Sequence, residues 1–506
     1  MKKIIQSATG QMGAGKSRGF HQWYCHLVAE NGGKPVPMTL GTPTNKLSEA
    51  HHGYFIADGY ESTVISREEG FRSASEEYVR LCDAGNVGVI EVNNRVALTT
   101  KANTANRILV LDEVISPLHT IIIEFETPEE VRELAVIESD VRGRDDRGYY
   151  ELVESDRTLR ALLAVCDRES SKYKSHSKLA QELAAFTTNQ HYRVVIDQTS
   201  LDKAASGSAF IKRNKAGKEV GRRRVFLQFT VFMLSSITEA YKDTLIISAN
   251  FERTLLALMW GKEVEFRPNK FIESRLDFQD LKHKRKQVKL IHAPVDNLSK
   301  YLLQQIGNGN EEAGAQWYYD EVATCLGEMF PGIKHIFALN KPKSKKKKEY
   351  NWLLEGEDVG QRVFTNPHGW NDLQDINMAV FLAAINFDKE TIRRLEDFYG
   401  ITPEQAKAAL AYETVAQFLG RTSIRNKDSN EEVILVLPDK GTADYICDLI
   451  DCEPSTELPI YFYERKKRGR PKVEKAENEK KEQKRLQMAR YRARQKEKSA
   501  AAGLSI

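Results

Sequence analysis

The chain has 506 residues, of which 41% are hydrophobic and 29% charged, and 75 Lys and Arg against 71 Asp and Glu leave a net charge of +4. This length equals roughly three typical domains, and the composition excludes a wholly disordered chain. The longest apolar run, near residues 225–234, is about half the length of a bilayer-spanning helix, so we expect no membrane segment. The N-terminus shows no signal sequence and the six cysteines form no Cys-x-x-Cys pair, so we expect a reducing cytoplasm.

Basic residues are concentrated near the C-terminus. Residues 464–498 hold sixteen Lys and Arg and six Asp and Glu, a net charge of +10, whereas the other 471 residues sum to −6. A block of like charges is solvated rather than packed, and its natural counterpart is a polyanion such as nucleic acid. Shorter basic runs lie at 222–224, 282–289 and 341–348. For each of them, a solvated surface loop explains the sequence at least as well as a nucleic-acid contact does.

A phosphate-binding loop is predicted near the N-terminus. A short apolar strand at 3–5 leads into Gly-Gln-Met-Gly-Ala-Gly-Lys-Ser at 10–17, which matches G-x-x-x-x-G-K-[ST], and a helix is predicted over 18–29. The glycines let the backbone turn its N–H groups toward phosphate oxygens, the lysine reaches the β- and γ-phosphates, and the serine binds Mg²⁺. The residues expected to bind Mg-ATP here are Gly10, Gly13, Gly15, Lys16 and Ser17.

A second apolar strand, at 108–111, ends in two carboxylates. Carboxylates at the C-terminal end of a buried strand suit an ATPase that binds phosphates at the same sheet edge. We expect Asp112 to hold Mg²⁺ and Glu113 to act as the general base toward the attacking water.

Three further segments place polar residues after strands. They are 42–47, 99–101 after a strand expected at 95–98, and 248–250 after a strand at 245–247. Together with the phosphate loop and Asp112-Glu113, they resemble the motifs of superfamily 2 helicases, with Asn250 in place of the threonine of the family's Ser-Ala-Thr motif. The resemblance implies DNA contacts by Thr42, Thr44, Thr99 and Thr100, and coupling of hydrolysis to strand movement by Ser248 and Asn250.

The second half of the chain carries an arginine motif. Residues 415–425 resemble the family's Gln-x-x-Gly-Arg-x-x-Arg motif with one extra residue, just before a strand at 433–437. The resemblance implies that Gln417, Arg421 and Arg425 reach the γ-phosphate from a second lobe; the alternative is a helix with surface arginines. Upstream, 366–372 before a strand at 378–384 is similar to a coupling motif, with Gly369 and Asn371 as the expected residues and a packing turn as the alternative.

The tail has two nucleic-acid signatures. Residues 466–472 resemble an AT-hook, in which Arg468, Gly469 and Arg470 would lie in an A·T-rich minor groove. Residues 475–498 are similar to a zipper-type basic region without its leucine heptads, and Arg490, Arg492 and Arg494 would contact phosphates. A chance match in a lysine-rich tail is the alternative for the first signature.

We therefore expect an α/β protein with two RecA-like lobes at 1–265 and 285–460, a linker at 266–284 and a basic tail at 461–506. An insertion within 125–230 has no functional interpretation. The motif style is nearest to the group that includes the herpesvirus origin-binding helicase. The expected activity is that of an ATP-dependent DNA helicase or translocase of phage or plasmid type. Its expected substrate is single-stranded or forked DNA, and other replication proteins are candidate partners. The alternatives are a viral DNA-packaging ATPase and an ATP-switched DNA-binding initiator.

Overall fold

The computed structural model describes residues 2–66, 73–129, 131, 148–152, 182–183, 185–213, 219–342, 349–356, 359–365, 373–385 and 387–460. The predicted coupling residues Gly369 and Asn371 lie outside these residues. So do the tail residues Arg468, Gly469, Arg470, Arg490, Arg492 and Arg494. Within the described part of the chain, no helix has both the length and the apolar character needed to cross a bilayer.

The strands, in chain order, are β1 (Ile4–Thr9), β2 (Met38–Thr42), β3 (Ser62–Ile65), β4 (Val89–Asn93), β5 (Ile108–Asp112), β6 (Leu118–Phe125), β7 (Tyr149–Leu152), β8 (Tyr192–Asp197), β9 (Ile211–Arg213), β10 (Glu219–Arg222), β11 (Val225–Met233), β12 (Asp243–Ser248), β13 (Glu265–Pro268), β14 (Val288–His292), β15 (His335–Ala338), β16 (Gly360–Arg362), β17 (Met378–Phe381), β18 (Val433–Leu437) and β19 (Thr456–Glu457). The α-helices are α1 (Lys16–Glu30), α2 (Asn45–Ala57), α3 (Ala74–Asp83), α4 (Asn94–Thr99), α5 (Gln198–Ala205), α6 (Leu255–Trp260), α7 (Lys270–Glu273), α8 (Lys300–Ile306), α9 (Glu311–Met329), α10 (Lys389–Tyr399), α11 (Pro403–Lys407), α12 (Glu413–Leu419) and α13 (Lys440–Ile450).

Two parallel sheets organise the molecule. The first has seven strands in the order β13-β1-β12-β5-β2-β4-β3, and the second has six in the order β16-β15-β17-β18-β14-β19. Every pair of neighbours in both sheets is parallel. Their central strands are apolar without alternation, as β5 and β18 show, because helices cover both faces of a parallel sheet. The predicted α/β fold with two RecA-like lobes is confirmed.

The order of the first sheet determines which loops can meet. The carboxyl ends of parallel strands lie at one edge, where α/β proteins bind their ligands. β12 separates β1, which precedes the phosphate loop, from β5, which ends in Asp112. β2 and β4 lie on the far side of β5, so the segments that follow them are at the same edge but farther from the phosphate loop.

The chain between β5 and β12 forms an antiparallel sheet in the order β6-β11-β8-β7. One face of this insertion sheet is a separate apolar core that includes Ile121, Phe229 and Val231. Helix α10 of the second lobe packs against the sheet: the buried Arg394 donates from Nη1 to Thr230 Oγ1. The insertion is therefore joined to both lobes.

Two segments differ from expectation. The strand expected at 95–98 is wrong, because these residues belong to α4. Asn93 explains the difference, since its side chain accepts a hydrogen bond from the Arg95 N–H at 2.9 Å and so caps a helix start. The second segment is the expected linker at 266–284. Its first residues, 266–268, belong to strand β13 of the first sheet, and α7 within it packs on α1.

Candidate functional site

The phosphate loop connects β1 to α1 with a backbone that requires glycine at two positions. Gly13 and Gly15 have φ of 79° and 82°, in the left-handed region that favours glycine. Gly13 is also approached from the second lobe, since a β-carbon there would lie 2.7 Å from Cβ of Arg425. A larger residue at 13 would therefore strain the loop and push the lobes apart.

Lys16 lies at the centre of the loop. Its Nζ donates to the carbonyl oxygens of Gly10 at 2.7 Å and Gln11 at 2.8 Å. Burial lowers the pKa of Lys16 to about 8, although the nearby Asp112 and Glu113 carboxylates oppose this shift. An ammonium surrounded by desolvating groups and carbonyls is well placed to bind the phosphates of a nucleotide.

The two carboxylates at the end of β5 have different environments. Asp112 is buried, with 4% of the residue exposed, and its Oδ2 lies 2.6 Å from His51 Nε2. Glu113 has a left-handed φ of 72°, and its N–H donates to the Ile247 carbonyl at 2.8 Å. A non-glycine residue held there is strained, and strain of this kind is concentrated at functional sites.

The arginine motif of the second lobe contacts the phosphate loop and the carboxylate edge. Gly420 packs so closely on Met12 that a β-carbon at position 420 would overlap the methionine Cε. Arg421 is 6% exposed, and its Nη2 lies 3.4 Å from Glu113 Oε1. Burial, followed by the charge of Arg421, lowers the pKa of Arg425. Two guanidinium groups are thus held together between the lobes, which favours binding of an anion.

These groups surround a single cavity of about 270 Å³ between the lobes. The predicted residues that line it are Gly13, Gly15, Lys16, Ser17, Asp112, Glu113, Ser248, Gln417, Arg421 and Arg425. Gly10 contributes its carbonyl to Lys16 instead. The Ser17 hydroxyl and the Asp112 carboxylate fit Mg²⁺, which prefers oxygen ligands and binds together with nucleotide phosphates. His51 holds Asp112 Oδ2, and Asp112 lines the cavity, so its carboxylate can face a metal-bound water.

A buried polar network crosses from the first lobe to the second beside the cavity. Asn250 accepts a hydrogen bond from Gln11 Nε2, and its Nδ2 donates to Glu413 Oε2 at 3.1 Å. Glu413 also accepts from the Tyr445 hydroxyl, and burial raises its pKa. The side chain of Asn250, unlike threonine, is long enough to carry a donor to the second lobe. Asn250 thereby connects the phosphate loop with α12, and sequence reasoning missed the two partners Gln11 and Glu413.

Two buried histidines lie behind Asp112. His21 Nε2 is 2.9 Å from His51 Nδ1, and burial together with the neighbouring His51 lowers the pKa of His21 to about 3. Aromatic rings surround both, with the Phe55 centroid 4.5 Å from that of His21. No sequence motif indicated these residues.

The predicted DNA-contacting threonines have mixed positions. Thr42 is 1% exposed, and its hydroxyl bonds with Ser48 Oγ at 2.6 Å, so it supports the loop from inside. Thr44 caps α2 by accepting from the Leu47 N–H. Thr99 is the last residue of α4 and is exposed, and Thr100 follows it. Thr44, Thr99 and Thr100 therefore remain candidates for contact with a nucleic-acid backbone.

No family model and no curated protein matches this chain. Solved structures do. Xpd4 of S. tokodaii is 10% identical with a TM-score of 0.43, over 90% of this chain and 96% of that one. A Dbp5 variant of S. cerevisiae bound to RNA and ADP-BeF3 is 11% identical with a TM-score of 0.35, over 90% and 85%. The helicase MrfA bound to DNA is 10% identical with a TM-score of 0.31, over 90% and 47%.

Proposed function

We propose that this protein is a nucleic-acid-dependent ATPase that acts as a DNA helicase or translocase. The observation that carries the proposal is the cavity between the lobes, where the phosphate loop, Asp112-Glu113 and the second-lobe arginines meet. An ATPase whose active site is completed by a second lobe can couple each turnover to lobe movement. Binding alone would not require a general base opposite a buried arginine.

The residues divide the reaction among them. Loop N–H groups and Lys16 bind the phosphates, and Ser17 and Asp112 would hold Mg²⁺, which neutralises phosphate charge when bound. Glu113 accepts the proton of the attacking water. Arg421 and Arg425 stabilise the charge that develops on the transferred phosphoryl group.

The contact between Arg421 and Glu113 has a mechanistic consequence. Arg421 Nη2 lies 3.4 Å from Glu113 Oε1. Binding of the γ-phosphate would offer Arg421 a more highly charged anion, and the departure of this cation would make the Glu113 carboxylate a stronger base. Arrival of ATP thus prepares the base and brings the arginine to the phosphate in one step.

The experiment that tests this function compares ATP hydrolysis with and without single-stranded DNA, and then measures displacement of a labelled strand from a forked duplex. Glu113→Gln serves as the matched variant, since it should bind ATP and fail to turn it over. DNA-stimulated hydrolysis with strand displacement supports a helicase, and stimulation without displacement supports a translocase or packaging motor. If DNA leaves hydrolysis unchanged, or if Glu113→Gln hydrolyses at the wild-type rate, the proposal is wrong.

We extend the proposal to the tail and the cellular role. The +10 charge of residues 464–498 favours a nucleic-acid partner, and the Arg-Gly-Arg-Pro sequence favours A·T-rich duplex DNA as the tail's target. The tail and the divergent motifs favour a role in replication or recombination of phage or plasmid type, and the N-terminus and the scattered cysteines favour the cytoplasm. Binding to matched DNA and RNA oligonucleotides at one salt concentration tests the preference.

A further inference from the structure

Two buried histidines connect the elements that carry the two magnesium ligands of the proposed site. Ser17 lies in the first turn of α1, and His21 follows four residues later on the same face of that helix. His51 lies on α2, and Asp112 ends β5. Hydrogen-bond distances of 2.9 Å from His21 to His51 and 2.6 Å from His51 to Asp112 link α1 to β5 through α2.

The chemistry of the three groups fixes where the protons lie. A carboxylate only accepts hydrogen bonds, so the proton facing Asp112 Oδ2 belongs to His51 Nε2. In a neutral His51 the other ring nitrogen, Nδ1, is then an acceptor, and it receives the N–H of His21 Nε2. His21 Nδ1 has no hydrogen-bond partner among the described residues. It is left as a bare lone pair, whereas every other proton arrangement buries an orphan N–H, which native structures avoid.

Burial makes the hydrogen-bonded series from His21 through His51 to Asp112 rigid. His51 is 1% exposed and His21 4% exposed. The Phe20 and His51 rings are packed edge to face, with centroids 5.7 Å apart. Since neither imidazole can exchange its hydrogen bond for one to water, the direction of each bond is retained.

We propose that His51 is a positioning residue that holds Asp112 Oδ2 and thereby turns Oδ1 toward the magnesium ion, and that His21 selects the His51 tautomer that does so. The inference rests on the proposed function, since it assumes Mg-nucleotide binding in the cavity. Hydrogen-bond partners of metal-ligating side chains orient the ligands, and their loss lowers metal affinity by about 10- to 100-fold. Through His21 the same two hydrogen bonds also set the distance between the helix that carries Ser17 and the strand that carries Asp112.

The test measures Mn²⁺ binding to the full-length protein–ADP complex by electron paramagnetic resonance, in wild type and four variants. His51→Leu should weaken Mn²⁺ binding about 10- to 100-fold. His51→Gln places an amide N–H near the position of Nε2 and should recover affinity to within a few-fold of wild type. His21→Phe leaves the His51 tautomer without its selector and should fall between the two. His52→Leu, a change at the next residue of α2, should match wild type.

A second measurement separates positioning from damage to the fold. ADP affinity in EDTA does not involve the metal, so it should stay within about twofold of wild type in every variant. If His51→Leu binds Mn²⁺ as tightly as His52→Leu, or if His51→Gln is as weak as His51→Leu, the inference is wrong. A wild-type protein that binds neither ADP nor Mn²⁺ would overturn the proposed function together with the inference.

Discussion

Replacing Asn250 by glycine tests whether the lobes communicate through the polar network beside the cavity. Asn250 has φ of 47° and ψ of 40°, in the left-handed region, so glycine keeps the backbone whereas alanine would add about 1–2 kcal/mol of strain. The substitution removes the donor to Glu413 and the acceptor for Gln11. It therefore removes the two hydrogen bonds by which Asn250 links the phosphate loop to the second lobe, without altering the backbone at position 250.

The size of the effect follows from the burial of the partners. Asn250 is 8% exposed and Glu413 3% exposed, so neither lost bond is replaced by water without opening the interface. A hydrogen bond to a charged group contributes about 1.5–3 kcal/mol. If the closed arrangement is the one that hydrolyses ATP, kcat should fall about 10- to 100-fold, since about 1.4 kcal/mol corresponds to a factor of ten.

The assay is steady-state ATP turnover at saturating DNA, completed as a double-mutant cycle with Glu413→Gln. Asn308→Gly is the matched control, because Asn308 is an exposed asparagine with φ of 57°. We expect a coupling energy of about 1–2 kcal/mol between positions 250 and 413. Turnover of Asn250→Gly within twofold of Asn308→Gly, with additive effects in the cycle, would refute the role of this network.

Three other predictions concern the arginine, the lysine and the tail. Arg421→Ala should lower kcat by about 10³-fold with little change in KM for ATP, and a raised KM with unchanged kcat would place Arg421 in ground-state binding. Because the pKa of Lys16 is lowered to about 8 and phosphates raise it again, ATP affinity should fall as the pH rises above about 8 and binding there should take up a proton; calorimetry in buffers of different ionisation enthalpy that shows no uptake would contradict this. Deleting residues 464–506 should leave basal turnover intact and reduce the slope of log K against log salt for duplex DNA by roughly 4–7, and an unchanged slope would exclude phosphate contacts by the tail.

The sequence predicted the parts of the site that are contiguous in the chain. Glycines, Lys16 and Ser17 stand within eight residues, and their spacing reflects one local backbone shape. Asp112 follows a short run of apolar, partly β-branched residues, which favours a buried strand. In these short segments, the residues that shape the backbone stand next to the residues that carry the chemistry. The order of residues along the chain was therefore enough to predict them as site residues.

The parts that were not predicted depend on contacts between distant segments. His21 and His51 are 30 residues apart, and Asn250 and Glu413 are 163 apart. No spacing rule relates such positions, because the sheet order decides which helices become neighbours. The error at 95–98 has a local origin, since one cap formed by Asn93 outweighed the strand-like alternation that follows it.

The packing of α10 on the insertion sheet limits how the cleft can open. Besides the contact of Arg394 with Thr230, Tyr149 of the insertion donates to Asp397 of α10 at 2.7 Å. Away from the cavity, the lobes are thus joined by the chain between β13 and β14 and also by this contact. If α10 stays bound when the contacts in the cleft are broken, we expect the cleft to open by a rotation about these two connections. Such a rotation would return Arg421 to Glu113 along the same path in each cycle.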